Sequence, residues 1–135
     1  MRKGTGRGPA RAGHLTLDAG ALVAYERNDR SVRERIRVAL REGGSVIVPA
    51  GVLAQVWRDR RRQVRLTMLL RHVHVQDLDE RLAKASGELC GRTSTSDVID
   101  ASVVVCARRQ SGGTLLTSDP ADIHHLDAEL MVERV

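Results

Sequence analysis

Phenylalanine is missing from these 135 residues, and Trp57 and Tyr25 are the only aromatic side chains. A core must therefore be built from Val, Leu, Ile and Ala, and a nucleic acid bound here would be held by charge rather than by stacked bases. Cysteine is equally scarce. Cys90 and Cys106 form no Cys-x-x-Cys pair and have no ligand spacing around them, which points to two reduced thiols packed as small hydrophobes in a cytoplasmic protein. No apolar run approaches the roughly 18 residues of a membrane span. Nor does the start carry a secretory pattern: Arg2, Lys3, Arg7 and Arg11 sit among Gly and Pro with no apolar segment behind them.

Lysine is nearly absent as well. Lys3 and Lys84 are the only two, so the net charge of +5 is carried by arginine, whose planar fork suits phosphate or carboxylate. A GC-rich coding sequence would give the same bias, so charge alone names no partner. Hydrophobic residues make up 41% of the chain, an ordinary globular share, and the length suits one core. Residues 1–13 read as a flexible basic arm and 14–135 as a single domain.

Along that domain, strands alternate with helices. Leu15–Leu17 reads as a strand, followed at once by a helix from Asp18 to Tyr25. Asn28 or Asp29 caps a helix over 31–41, with Val32, Ile36, Ala39 and Leu40 on one face. Ser45–Pro49 is a second strand; Pro49 opens a helix over 50–58, and another runs over 61–71 with Val64, Met68 and Leu69 inward. A third strand over 72–76 and a helix over 78–90 lead to a polar loop, 91–96. Ser96 is then expected to cap a helix over 97–110. Its Val103-Val104-Val105 run favours a strand locally, but acids in the first turn and Arg108-Arg109 in the last favour helix. Thr114–Thr117 is a fourth strand, 120–126 a short helix and 130–135 a last edge strand. The pattern implies a three-layer α/β/α fold around a mostly parallel sheet of four to five strands.

In such sheets, ligands bind beyond the carboxyl ends of the strands. Asp18 and Asp119 fall there, and Asp97 and Asp100, three apart at a helix start, share one face. Each has a plainer role available: Asp18, Asp97 and Asp119 suit helix caps or turns. Asp100, between Ile99 and Ala101, is the hardest to explain without a ligand, because unpaired carboxylates are rarely buried. Clustered acids suit a hard cation such as Mg²⁺, which can activate a water for phosphodiester hydrolysis. Thr117 and Ser118 offer hydroxyls to a carboxylate or phosphate. Arg58, Arg61 and Arg62, in Trp57-Arg-Asp-Arg-Arg-Arg-Gln-Val-Arg, form the densest basic stretch and suit a phosphate backbone. Asp122 reads as a solvated helix residue. His72 and His74 alternate on a strand without completing a zinc set, and His124 and His125 face apart.

Taken in order, Leu17-Asp-Ala-Gly-Ala-Leu-Val-Ala, Val48-Pro-Ala-Gly-Val-Leu-Ala-Gln-Val-Trp-Arg, Asp97-Val-Ile-Asp-Ala and Leu115-Leu-Thr-Ser-Asp-Pro resemble the PIN domain, and within it the VapC-type toxins. The resemblance covers residues 14 to 130. It implies a Mg²⁺- or Mn²⁺-dependent endoribonuclease, held inactive by a small cognate antitoxin and often a homodimer. On that pattern Asp18, Asp100 and Asp119 take the acidic positions and Asp97 an extra one. Gln55 departs from it, standing where a Glu is common. The alternative this raises is a catalytically weak or silent module that binds RNA or a protein partner. A receiver-like sheet fits less well, since it wants an acidic pair after the first strand and a late Lys.

Overall fold

The structure, a computed structural model, describes residues 13–135. Of the arm expected over 1–13, only Gly13 lies within the described residues, and it is buried. Five strands among these residues form one sheet: β1 (Leu15–Leu17), β2 (Val46–Pro49), β3 (His74–Gln76), β4 (Thr114–Thr117) and β5 (Val132–Arg134). Their order is β3-β2-β1-β4-β5, and every pair is parallel. This order also separates the chain from receivers, whose strands run 2-1-3-4-5.

Among the described residues, seven helices connect them: α1 (Ala19–Glu26), α2 (Arg30–Arg41), α3 (Ala50–Val56), α4 (Val64–Leu69), α5 (Glu80–Thr93), α6 (Val98–Arg108) and α7 (Pro120–Leu126). Because β-α-β crossovers are right-handed, α1 to α4 cover one face as the chain moves from β1 out to β3, and α5 to α7 cover the other as it returns to β4 and β5. The direction of winding changes beside β1, so a crevice opens between the carboxyl ends of β1 and β4.

As composition required, the core is aliphatic. Leu15, Leu17, Val46, Val48, Leu115 and Leu116 are at most 2% exposed, and α6 buries seven consecutive residues from Ala101 to Ala107. The valine run is therefore helix, because α6 is wrapped by the sheet on one side and by α5 and α7 on the other. Cys90 and Cys106 are buried free thiols, and burial pushes the Cys106 thiol up to about 11.

Several boundaries differ from the sequence reading. The helix expected over 61–71 is only Val64–Leu69, and its inward residues are Leu66 and Leu69; Val64 and Met68 are 63% and 46% exposed. The preceding residues are instead drawn into a loop around buried Gln63. The helix from Pro49 ends at Val56 rather than 58. Asp79 caps α5, which runs on to Thr93 before Ser94 turns left-handed at φ 56°, so the first half of the expected polar loop is helical. The cap of α6 is Asp97, not Ser96. His72 lies in a turn before β3, so it does not alternate with His74.

Candidate active site

Asp18 is the first residue beyond β1 and is 7% exposed. Its backbone N–H donates to Leu116 O at 3.2 Å, extending the β1–β4 pairing to the sheet edge. One carboxylate oxygen, Oδ1, accepts from Ala21 N at 2.9 Å and caps α1. Burial raises its pKa above the ordinary 3.8, while hydrogen bonds from the Thr117 hydroxyl and the Ala21, Gly20 and Ser118 N–H groups act the other way. Thr117 is fully buried; its hydroxyl also accepts from Asp119 N at 2.9 Å, so one side chain ties the ends of β1 and β4 together. That proton is committed to the Asp18 carboxylate.

Around this edge stand four more carboxylates. Asp97 Oδ1 accepts from Asp100 N at 2.9 Å, and Asp119 Oδ1 from Asp122 N at 3.2 Å, so each pair is a helix cap and the residue three later. Asp100 is pushed from 3.8 to about 6, first by burial, then by the charge of Asp97 and a hydrogen bond with it, and further by Asp18 and Asp122. Asp122 is raised chiefly by the charge of Asp119, with Asp97 adding and His125 opposing. Asp122 is exposed, as its solvated reading required, yet it shares this field. The signal for it was its spacing from Asp119, which repeats that of Asp97 and Asp100.

Among the described residues none of these five carboxylates is in an ion pair. Oxygen donors that repel one another, one of them buried, fit a hard divalent cation. As they stand, no three His, Cys, Asp or Glu side chains among the described residues form a group able to hold a metal. The fit is thus one of donor chemistry and charge.

Two glycines let helices close on the site. A Cβ at Gly20 would strike Ser118 Oγ, and one at Gly51 would meet Ile99 Cδ1 at 2.6 Å. Gln55 is one turn on from Gly51 and exposed, so it shares the face of α3 that meets α6 beside Asp100. Arg58, Arg61 and Arg62 are exposed in the loop after α3. The late histidines serve backbone carbonyls: His124 Nε2 lies 3.3 Å from Leu130 O and His125 Nε2 2.9 Å from Thr93 O.

Among the described residues, several surface hollows lie around this edge and the α1–α4 face. One of about 470 Å³ is lined by Gly20, Val23, Ser118 and Arg27. Another of about 330 Å³ has Tyr25, Ile36, Leu40 and Leu69 along its floor and Arg30, Arg33 and Arg37 on its rim. A third, of about 320 Å³, is almost wholly apolar, with Leu53, Trp57 and Leu70.

A family model described as the PIN domain matches residues 15–129. No curated protein matches the sequence. Among solved structures, a chain in the crystal structure of VapBC2 from Rickettsia felis, bound to a DNA fragment from their promoter, matches with a TM-score of 0.67 and 14% identity, over 90% of this chain and 98% of that one. At that identity the likeness is one of fold.

Proposed function

The chain belongs to the PIN domain family, and on that premise we propose that it is a metal-dependent endoribonuclease, the toxin of a toxin–antitoxin pair. The observation that carries this reading is the field at the β1–β4 edge, where burial raises the pKa of Asp18, and burial together with Asp97, Asp18 and Asp122 raises that of Asp100, with no cation paired to either among the described residues. Asp18, Asp97, Asp100 and Asp119 would hold Mg²⁺ or Mn²⁺. When bound, such an ion offsets the clustered charge, lowers the pKa of a water that attacks phosphorus and stabilises the leaving oxygen.

The protein's own contribution is positioning. Thr117 and the N–H groups at the start of α1 orient Asp18, and the cap of α6 orients Asp97 through its Oδ1. Ser118 faces the hollow beside Gly20, where its hydroxyl can meet a phosphate oxygen. Arg58, Arg61 and Arg62 extend the binding surface along the strand.

The groove between α1, α2 and α4 suits the amphipathic helix of an antitoxin, with apolar anchors over Ile36 and Leu40 and acids toward Arg30, Arg33 and Arg37. That the VapBC2 structure is of a complex agrees with such a partner. The apolar hollow at Trp57, with Val64 and Met68 exposed on α4, suits a second copy of the chain. Free buried thiols fit a cytoplasmic setting; among the described residues no helix is long and apolar enough to cross a membrane. A second reading, a silent module that binds RNA or a partner without cutting, rests on Gln55 and on the absence of a ready three-ligand group among the described residues.

Cleavage of total cellular RNA separates the two. The nuclease reading expects discrete products with Mg²⁺ or Mn²⁺, none with EDTA, and a loss of roughly 10²-fold or more in Asp18→Asn and Asp100→Asn. RNA binding without cutting, indifferent to both substitutions, would select the silent module.

A further inference from the structure

Gln63 is buried at 6% exposure, far from any role in the core's aliphatic packing. Its Oε1 accepts from the backbone N–H of Arg58 at 2.7 Å and of Asp59 at 3.0 Å. Its Nε2 donates to Val56 O at 2.9 Å and to Glu26 Oε1 at 3.1 Å. Both amide protons and the carbonyl oxygen are thereby used. The backbone of Gln63 continues the same knot, donating to Asp59 O at 3.1 Å and accepting from Thr67 N at 2.9 Å.

The segment closed by this amide, residues 57–62, carries Arg58, Arg60, Arg61 and Arg62. Four like charges in so short a stretch repel one another, and left alone they would spread the loop. Arg58 is folded back onto Ala54 O and Trp57 O, and Arg62 reaches Asp59 at 3.9 Å. The guanidinium groups of Arg60 and Arg61 have no ion-pair partner among the described residues. A buried, fully satisfied polar side chain thus holds together a loop that presents two arginines, Arg60 and Arg61, without an ion-pair partner among the described residues. Through Glu26 the knot is also fixed to the far end of α1, whose first turn is capped by Asp18. Eight residues of helix place it about 12 Å along the axis from the carboxylate edge.

We propose that Gln63 is a positioning residue for substrate: it fixes the 57–62 loop so that Arg60 and Arg61 contact the phosphates of the same RNA strand whose scissile bond lies at the carboxylate edge. This rests on the ribonuclease reading. A preformed basic loop lowers the ordering cost of binding, so Gln63 governs affinity for RNA and leaves the chemical step to the carboxylates. Arg60, inside the basic stretch but not among the three arginines singled out from the sequence, belongs to this surface.

The test compares wild type, Gln63→Leu and the double variant Arg60→Ala/Arg61→Ala on one labelled single-stranded RNA. Anisotropy in EDTA gives Kd and its salt dependence; Mn²⁺ turnover gives KM and kcat. The expected result is a rise of about tenfold in Kd and KM for both variants, kcat within about twofold, and a fall of about 1.4 in the salt slope for the double variant. If Gln63→Leu fails to fold, the double variant, which keeps the knot, still decides. An unchanged Kd and salt slope in the double variant overturns the proposal, as does a folded Gln63→Leu that loses kcat at constant KM. Wild-type protein that binds RNA in EDTA but never cuts it would instead count against the nuclease reading, since the binding data judge the loop separately.

Discussion

At Asp100 burial and charge act in the same direction. Half-withdrawn from water and facing Asp97, Asp18 and Asp122, its carboxyl holds its proton to about pH 6 instead of 3.8. A folded-state pKa above the unfolded one means that ionisation weakens the fold, so metal-free protein is expected to lose stability as pH rises from about 4 to about 6. Asp100→Asn removes that dependence and should melt higher than wild type at neutral pH in EDTA. Thermal melts across this range check it, and parallel curves for the two proteins would contradict it. Gln55 bears on the same balance from the other side. Gln55→Glu is expected to raise Mn²⁺ affinity and cleavage, by about tenfold or more, and Asp97→Asn to lower both. A gain from the first with no loss from the second would show that Asp97 does not replace the missing charge.

The helices are placed by their first turns. Asp18, Asp29, Asp79, Asp97 and Asp119 each cap a helix through a side-chain oxygen, so three of the site's carboxylates also start the elements that carry them. Each of the crevice caps Asp18, Asp97 and Asp119 uses its Oδ1, so one residue type serves folding at the same edge where a cation site is proposed. Close approach matters equally. Gly20→Ala would drive Ser118 away from α1, and the expectation is ~1–3 kcal/mol of destabilisation with a larger loss of cleavage. Gly87→Ala in α5, where a Cβ meets nothing within 4 Å, should instead stabilise by ~0.5–1 kcal/mol and leave cleavage unchanged. Equal effects of the two substitutions on melting and on turnover would argue against a packing role for Gly20.

These elements also show what could be read in advance. Short aliphatic runs ending in Asp or Pro marked β1, β2 and β4, because a strand buried on both faces has nowhere to place polar residues until it leaves the sheet. The α4 region was misread for a related reason: apolar spacing gives a helical face but not the direction it points. Val64 and Met68 were assigned inward, while Leu66, Leu69 and Gln63 are the buried residues. Nothing in the local pattern marked Gln63 as interior, since its partners Glu26 and Val56 come together only in the tertiary fold. Asp122 was set aside for a similar reason, its exposure being correct and its electrostatic neighbours invisible along the chain.

Over the whole molecule, topology concentrates the chemistry. A sheet that winds outward from β1 in both directions leaves its crevice between β1 and β4, and the chain places buried Asp18 and exposed Asp119 on either lip with the start of α6 above them. The net charge of +5 lies in arginine, and its densest run flanks α3 rather than neutralising the carboxylates. Acid at the crevice and base beside it suit a polyanion whose phosphates are gripped at a distance and cut at the edge. This account depends on the carboxylates acting as a cation site. Calorimetric titration of Mn²⁺ into wild type, Asp18→Asn and Asp100→Asn addresses it without requiring the RNA to be known. Saturable binding by wild type, weakened at least about tenfold in both folded variants, is the result predicted. Equal affinity in all three proteins, or no binding by wild type, would contradict it.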